Sequence, residues 1–400
     1  MSRRSSSRSY GLAITKDSVV TYPIPLSADQ AGQTVKRLRV AVDTIDRLPR
    51  FDVAGAHDLY VKLFGPVADA VAASHHLIYE PDGVLISLPA EVLVTDQASV
   101  DAYKQRVALY RQGADVDLYQ KIGWLGRKTD ISLEVSAEGF IQSRKAAPSQ
   151  GAKPFLAFGD PITQGVTDPR LFSLLINPDQ GRSKDLCEPE RLEMGAALQR
   201  LKGAAEAIQG IGAELKASPS ELVLGEAFTD NAVKARKDLD QYRVVFFGTH
   251  GLLPATGDCL PEPALVTSLG TGDSDALLGV SEIFNLKMDA DLVVLSACDT
   301  GGGNSVSART GVAGSGAALD GLARAFIYAG ARNLVVTHWQ IPETSNQLIM
   351  TTVFRPGSGN QAEALRRAQL ALMDDKAYSH PFYWAAFSLV GDGARPFPGS

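Results

Sequence analysis

Residues 242–251, YRVVFFGTHG, and residues 290–303, ADLVVLSACDTGGG, decide how this chain folds. Each is a short apolar run that ends in a reactive side chain, His250 in the first and Cys298 in the second. An apolar run without polar alternation reads as a strand buried on both faces, the habit of parallel sheets. Two further runs have the same form, PFLAFGD at 154–160 and RNLVVTHW at 332–339. Helical patterns lie between and after them, at Leu192–Leu215, at Gly316–Gly330 with Leu319, Leu322, Phe326 and Ile327 on one stripe, and at Ala362–Met373. This alternation predicts a crossover-connected α/β sheet flanked by helices. Ligands of such sheets bind beyond the carboxyl ends of the strands, and those ends carry Asp160, His250 with Gly251, Cys298 with Asp299, and Trp339.

Upstream, the pattern changes. Val35, Leu38, Val42 and Ile45 keep helical spacing from Ala28 to Leu48, and Pro49 stops that helix. HDLYVKLFGPVADAVAASHHL predicts two short helices split at Gly65-Pro66, and LIYEPDGVLISLP two short strands around a Pro81-Asp82-Gly83 turn. The polar stretch 145–153, KAAPSQGAK, reads as a linker. The expected organisation is a solvated tail over 1–9, a smaller α/β subdomain over 10–150 and a larger α/β domain over 151–400. No repeat of helical-array length is present.

Composition narrows the function classes. With 39 basic and 45 acidic residues, the net charge of -6 gives no overall footprint for nucleic acid or for an anionic membrane. Neither a signal-peptide apolar core nor a spanning stretch is evident at the amino terminus, and the three cysteines, Cys187, Cys259 and Cys298, form no CxxC pair. A cytoplasmic, reducing location is expected, without metal or other cofactor. His57, His75, His76 and His380 show no metal-ligand spacing.

His250 and Cys298 lie 48 residues apart, each directly after a strand, so one crossover sets them side by side. A thiol needs a neighbouring imidazole to become a nucleophile near neutral pH, and that imidazole can then protonate a leaving amine. Acyl transfer also needs backbone N–H donors for an oxyanion, and Gly251 and Cys298 itself supply them. The alternatives are a strand-capping histidine and a buried cysteine that acts as a small hydrophobe. The glycine-rich stretch 300–316 lacks the lysine of a phosphate-binding loop, and a phosphorylated ligand there is the weaker reading.

VVFFGTHG followed by LGVSEIFNLKMDADLVVLSACDTGGG resembles the CHAT family of caspase- and separase-like cysteine peptidases. LPAEVLV near residue 90, FGDP at 158–161, GARNLVVTHWQI at 330–341, EALRRAQLAL at 363–372 and HPFYWAAFSLVGDG at 380–393 agree, so the likeness runs from about residue 55 to the end. It implies a caspase-like catalytic domain with His250 as base and Cys298 as nucleophile, preceded by a pseudo-peptidase-like subdomain. It further implies regulated cleavage of a protein substrate, a regulatory protein partner and a role in bacterial defence or signalled proteolysis. In that fold the Asp160 strand end helps form the pocket for the residue before the cut bond. There Asp160 would favour Arg or Lys, unless it is a turn aspartate bonding its own backbone. Asp299 either meets substrate or orients the loop after Cys298, and Trp339 either lines the peptide groove or packs in the core. His338, before the tryptophan, departs from the family pattern as a rival base or a hydrogen-bonded structural residue. Asp299 departs from it as well, where relatives often carry Glu. Arg309, beyond the cysteine, is an expected self-cleavage site. The alternative to a peptidase is a silent CHAT pseudo-peptidase that binds a partner without cutting it.

Overall fold

A computed structural model of the chain describes residues 9–43, 48–162, 198, 200–252, 262–272, 274–296, 313–355, 357 and 359–398, with the side chains of 313–320 excepted. The four apolar runs become β5 (Lys153–Gly159), β7 (Tyr242–Gly248), β11 (Leu292–Leu295) and β12 (Leu334–Thr337). They pair in parallel, β5 with β7, β7 with β11 and β11 with β12. Their lack of polar alternation has a direct cause in the packing. Phe155, Ala157, Val244, Phe246, Leu292 and Val294 join one apolar core, whereas Leu156, Phe158, Val245, Phe247, Val293 and Leu295 join another on the opposite face. Phe158 stacks on Phe247 across neighbouring strands, with ring centroids 5.3 Å apart. Each buried Phe stabilises the fold by roughly 1.5–3 kcal/mol.

The sheet has eight strands in the order β3-β4-β13-β12-β11-β7-β5-β6. Its far edge is β6 (Leu222–Leu224), parallel to β5. On the other side β13 (Phe387–Val390) runs antiparallel to β12, and β4 (Asp130–Leu133) and β3 (His76–Tyr79) follow β13 in parallel. The fold is mixed α/β, a mostly parallel central sheet flanked by helices in the manner of the caspases. Strands from both sides of residue 150 share this one sheet.

The longer helices are α1 (Ala28–Val40), α2 (Val53–Phe64), α3 (Gln97–Arg111), α4 (Ala137–Lys145), α5 (Lys202–Glu214), α6 (Ala313–Tyr328), α7 (Glu343–Val353) and α8 (Gln361–Met373). Ser27 and Gln30 close α1 with a reciprocal capping box. That helix ends at Val40, short of the expected Leu48, because Ala41 N–H bonds back to Leu38 O and tightens the last turn. The expected second strand after Gly83 is corrected as well. Gly83 has φ +57°, and residues Gly83–Ser87 form a 3₁₀ turn in which Leu88 N–H bonds to Leu85 O. On α6, Leu322 and Phe326 are buried as expected but Ile327 is 37% exposed.

Two smaller sheets complete the architecture. β1 (Ser9–Ile14) and β2 (Val19–Ile24) form an antiparallel hairpin, and β8 (Gly251–Leu252), β9 (Ala264–Val266) and β10 (Leu277–Gly279) a three-stranded sheet at the end of β7. Among the described residues no helix is long and apolar enough to cross a membrane.

Candidate active site

Two glycines set the floor of the site. A Cβ on Gly159 would stand 2.4 Å from Ile208 Cδ1, and one on Gly248 would stand 3.1 Å from the same atom. Without side chains there, α5 packs tightly across the ends of β5 and β7. Beyond Gly248 the chain continues through Thr249 to His250, which is 6% exposed. Thr249 donates its hydroxyl to Val266 O, and Val266 N–H bonds to His250 O at 2.8 Å. The backbone around the imidazole is therefore fixed from both sides by β9.

The register of β8 with β9 bears on the expected oxyanion donor. Gly251 pairs with Leu265 while Val266 N–H reaches His250 O, so Gly251–Leu265 is a non-hydrogen-bonded pair. The Gly251 N–H is consequently directed away from β9. A buried polar network holds this small sheet. Asp230, fully buried, takes Lys234 Nζ at 2.8 Å and the Ser274 hydroxyl, and its N–H donates to Thr267 Oγ1 at 3.0 Å. Lys234 also reaches Glu282 at 2.7 Å.

Strand β11 lies in register with β7, Leu295 opposite Phe247, and Ser296 N–H continues the ladder to Phe247 O at 2.9 Å. His250 and Cys298 each stand three positions beyond that last register pair in sequence. Ser296 Oγ–H donates to Asn346 Oδ1 of α7 at 3.0 Å, and Thr337 Oγ1–H to Leu295 O at 2.9 Å. Cys298 and Asp299 themselves lie outside the described residues, as do Cys187, Cys259, Arg309 and Gly301–Gly303.

Asp160 sits at the end of β5, its N–H bonded to Gly248 O at 3.0 Å and its φ at +48°. Both oxygens of its carboxylate are held by Arg200, through Nε at 3.2 Å and through Nη2. Arg200 carried no sequence signal, because an arginine inside the expected helix Leu192–Leu215 reads as a solvated position; the helix described there begins only at Lys202.

Trp339, expected either in the groove wall or in the core, packs in the core. It is 1% exposed, its indole N–H donates to Phe382 O at 3.0 Å, and Arg39 of α1 covers its ring at 5.2 Å. Arg39 is itself buried and donates to Ser87 O at 2.9 Å and to His338 O at 3.1 Å. His338 is fully buried beside Ser388, with Nε2 2.9 Å from its hydroxyl. Burial, followed by the Arg39 charge, pushes its pKa down to about 3, so it stays neutral and is no rival base.

The comparisons with known proteins agree with this fold. The family model described as CHAT domain matches residues 53–392. Tetratricopeptide repeat protein 28 of Mus musculus is 30% identical over 123 residues, which cover 30% of this chain and 5% of that protein. The Homo sapiens protein of the same name is 28% identical over 123 residues, with the same coverage. The matched segment is thus a small part of these curated relatives. With the caspase-like sheet in place and the family model spanning most of the chain, this protein belongs to the CHAT domain family, which is related to the cysteine peptidases.

Proposed function

We propose that the protein is a cysteine endopeptidase in which His250 activates Cys298 for attack on a peptide bond of a protein substrate. The observation that carries this reading is the parallel register of β7 and β11, with the histidine and the cysteine each following three positions in sequence after the last register pair. In the first half-reaction the thiolate attacks the carbonyl, His250 passes the thiol proton to the leaving amine, and a thioester remains. The Gly251 and Cys298 N–H groups hold the oxyanion. Water then attacks the thioester with His250 as base, releasing the acid and restoring the thiol. No metal or other cofactor takes part, and a reducing, cytoplasmic compartment keeps Cys298 a thiol. A regulatory protein partner and a role in signalled proteolysis, as in bacterial defence, belong to the same reading.

A second reading is a silent pseudo-peptidase that acts as an interaction module. The likeness to tetratricopeptide repeat proteins supports it, since such proteins are built of helical repeats. Purified protein and Cys298→Ala, with and without cell lysate, are compared on fluorogenic peptides and on an electrophilic peptidyl probe. Cleavage and labelling by the parent alone support the peptidase. Absence of both, with lysate present, sinks it in favour of the interaction module.

A further inference from the structure

We infer that Arg200 is a resident occupant of the Asp160 subsite, seated where the guanidinium of a substrate arginine binds; this rests on the peptidase reading. Asp160 is unusual in three respects. Its side chain is 5% exposed, its backbone adopts the left-handed region that a non-glycine residue pays strain to enter, and its N–H is tied to Gly248, two residues before His250. That conformation holds a buried carboxylate at the end of β5, next to the end of β7. A buried carboxylate without a partner is strongly unfavourable, so the position calls for a cation at all times. Arg200 supplies it through Nε and Nη2 together, the forked pairing that a planar guanidinium makes with a carboxylate.

The arginine differs from its partner. Its side chain is 35% exposed, and the residue belongs to no helix or strand, two positions ahead of α5. A buried acceptor held by a half-open donor is the arrangement of a site with an exchangeable ligand. A substrate arginine that displaces Arg200 restores the same two bonds, and the released guanidinium returns to water. Selectivity follows from the fork. A lysine ammonium makes a point contact and exchanges less favourably, and neutral or acidic side chains leave Arg200 in place. While Arg200 is seated, the subsite is closed to basic residues, and the apparent affinity for them falls by the fraction of molecules in which it is open.

The test uses peptides that differ only in the residue before the cut, Arg, Lys, Leu or Asp, with the parent protein, Arg200→Ala and Arg200→Lys. The ratio of kcat/KM for the arginyl to the leucyl peptide is the readout, so any loss of folded protein cancels. For a subsite occupied about nine-tenths of the time, Arg200→Ala raises this ratio about tenfold, and Arg200→Lys raises it less. An unchanged or lowered ratio makes Arg200 a structural partner of Asp160 and overturns the inference. A second measurement needs no catalysis. In the Cys298→Ala background, calorimetry with agmatine is expected to show about tenfold tighter binding to Arg200→Ala than to the Arg200 protein. Asp160→Asn should then abolish that binding. If no variant cleaves any peptide, the peptidase reading falls and agmatine alone decides the subsite. Binding to Arg200→Ala that depends on Asp160 supports it, and no such binding ends it.

Discussion

Two places along the carboxyl ends of the parallel strands, on either side of β11, have opposite characters. At the ends of β5 and β7, charged and polar side chains face one another, and Arg200 keeps a third of its surface in water. At the end of β12, His338 and Trp339 are sealed beneath Arg39, Ser388 and Phe382. The backbone is alike in the two places, parallel strands that continue directly into a His or an Asp. What differs is the exposure of the cover: the Arg39 side chain, lent by α1 to the end of β12, is 2% exposed, whereas that of Arg200, paired with Asp160 at the end of β5, is 35% exposed. A strand-end histidine is thus a poor guide to chemistry until the packing above it is known.

The sharpest contrast between the ends comes from paired alanine variants. His250→Ala is expected to lower kcat/KM by roughly 10³-fold or more while leaving the melting temperature close to that of the parent. Trp339→Ala is expected to do the reverse, losing about 3–5 kcal/mol of stability while the folded fraction keeps its KM. A rise in KM with unchanged stability would return Trp339 to the groove and break the comparison. Arg39→Met comes next. It leaves the Ser87 and His338 carbonyls short of a donor, and a loss of about 3 kcal/mol is expected in denaturant titration. A neutral result would show that the cover is held by packing alone.

The smallest effect is one of pH. Burial pushes His338 down to about 3 and His380 down to about 4, so both are neutral in the folded protein. Unfolding frees each imidazole to take up a proton below about pH 6.5, so their contribution is present above that value and is lost as pH falls toward 4. Burial also holds Glu91 and Glu134 up to about 7, with Asp392 and Glu80 adding to the shift of Glu134. Their contribution is present below about pH 4.5 and lost as pH rises through 7, which opposes the histidines in between. His338→Gln, which can still bond Ser388, is expected to remove about 2 kcal/mol of the stability difference between pH 6.5 and pH 5. An identical pH dependence of melting in parent and variant would mean that His338 titrates normally.

Much of this was legible in the residues. The four apolar runs were strands because both of their faces are covered, so no polar position interrupts them. The parallel pairing of the strands that precede His250 and Cys298 followed from the same runs. Strands β4 and β13 gave no such signal, because DISL and FSLV are short and place Ser132 and Ser388 inside the sheet, where His76 and His338 satisfy them. The Gly83–Ser87 segment was misread as a strand, since VLIS has strand propensity and only the bonds made around Gly83 turn it. Arg200 and Arg39 were illegible for another reason. A buried or half-buried arginine is defined by its partners, here Asp160 and the His338 carbonyl, which lie 40 and 299 residues away in sequence.

The place of β13 has a consequence for how the chain acquires its structure. The strand is near the carboxyl end of the sequence, yet it is the one that joins β4, some 250 residues earlier, to β12. During synthesis β3 and β4 can pair with each other as soon as both have emerged, but the edge of β4 that takes β13 has no neighbour until some 250 further residues have been made. Folding of the two blocks into one sheet is therefore a late event dominated by long-range contacts, and the exposed edge of β4 is the place where a partly made chain is most open to pairing with another.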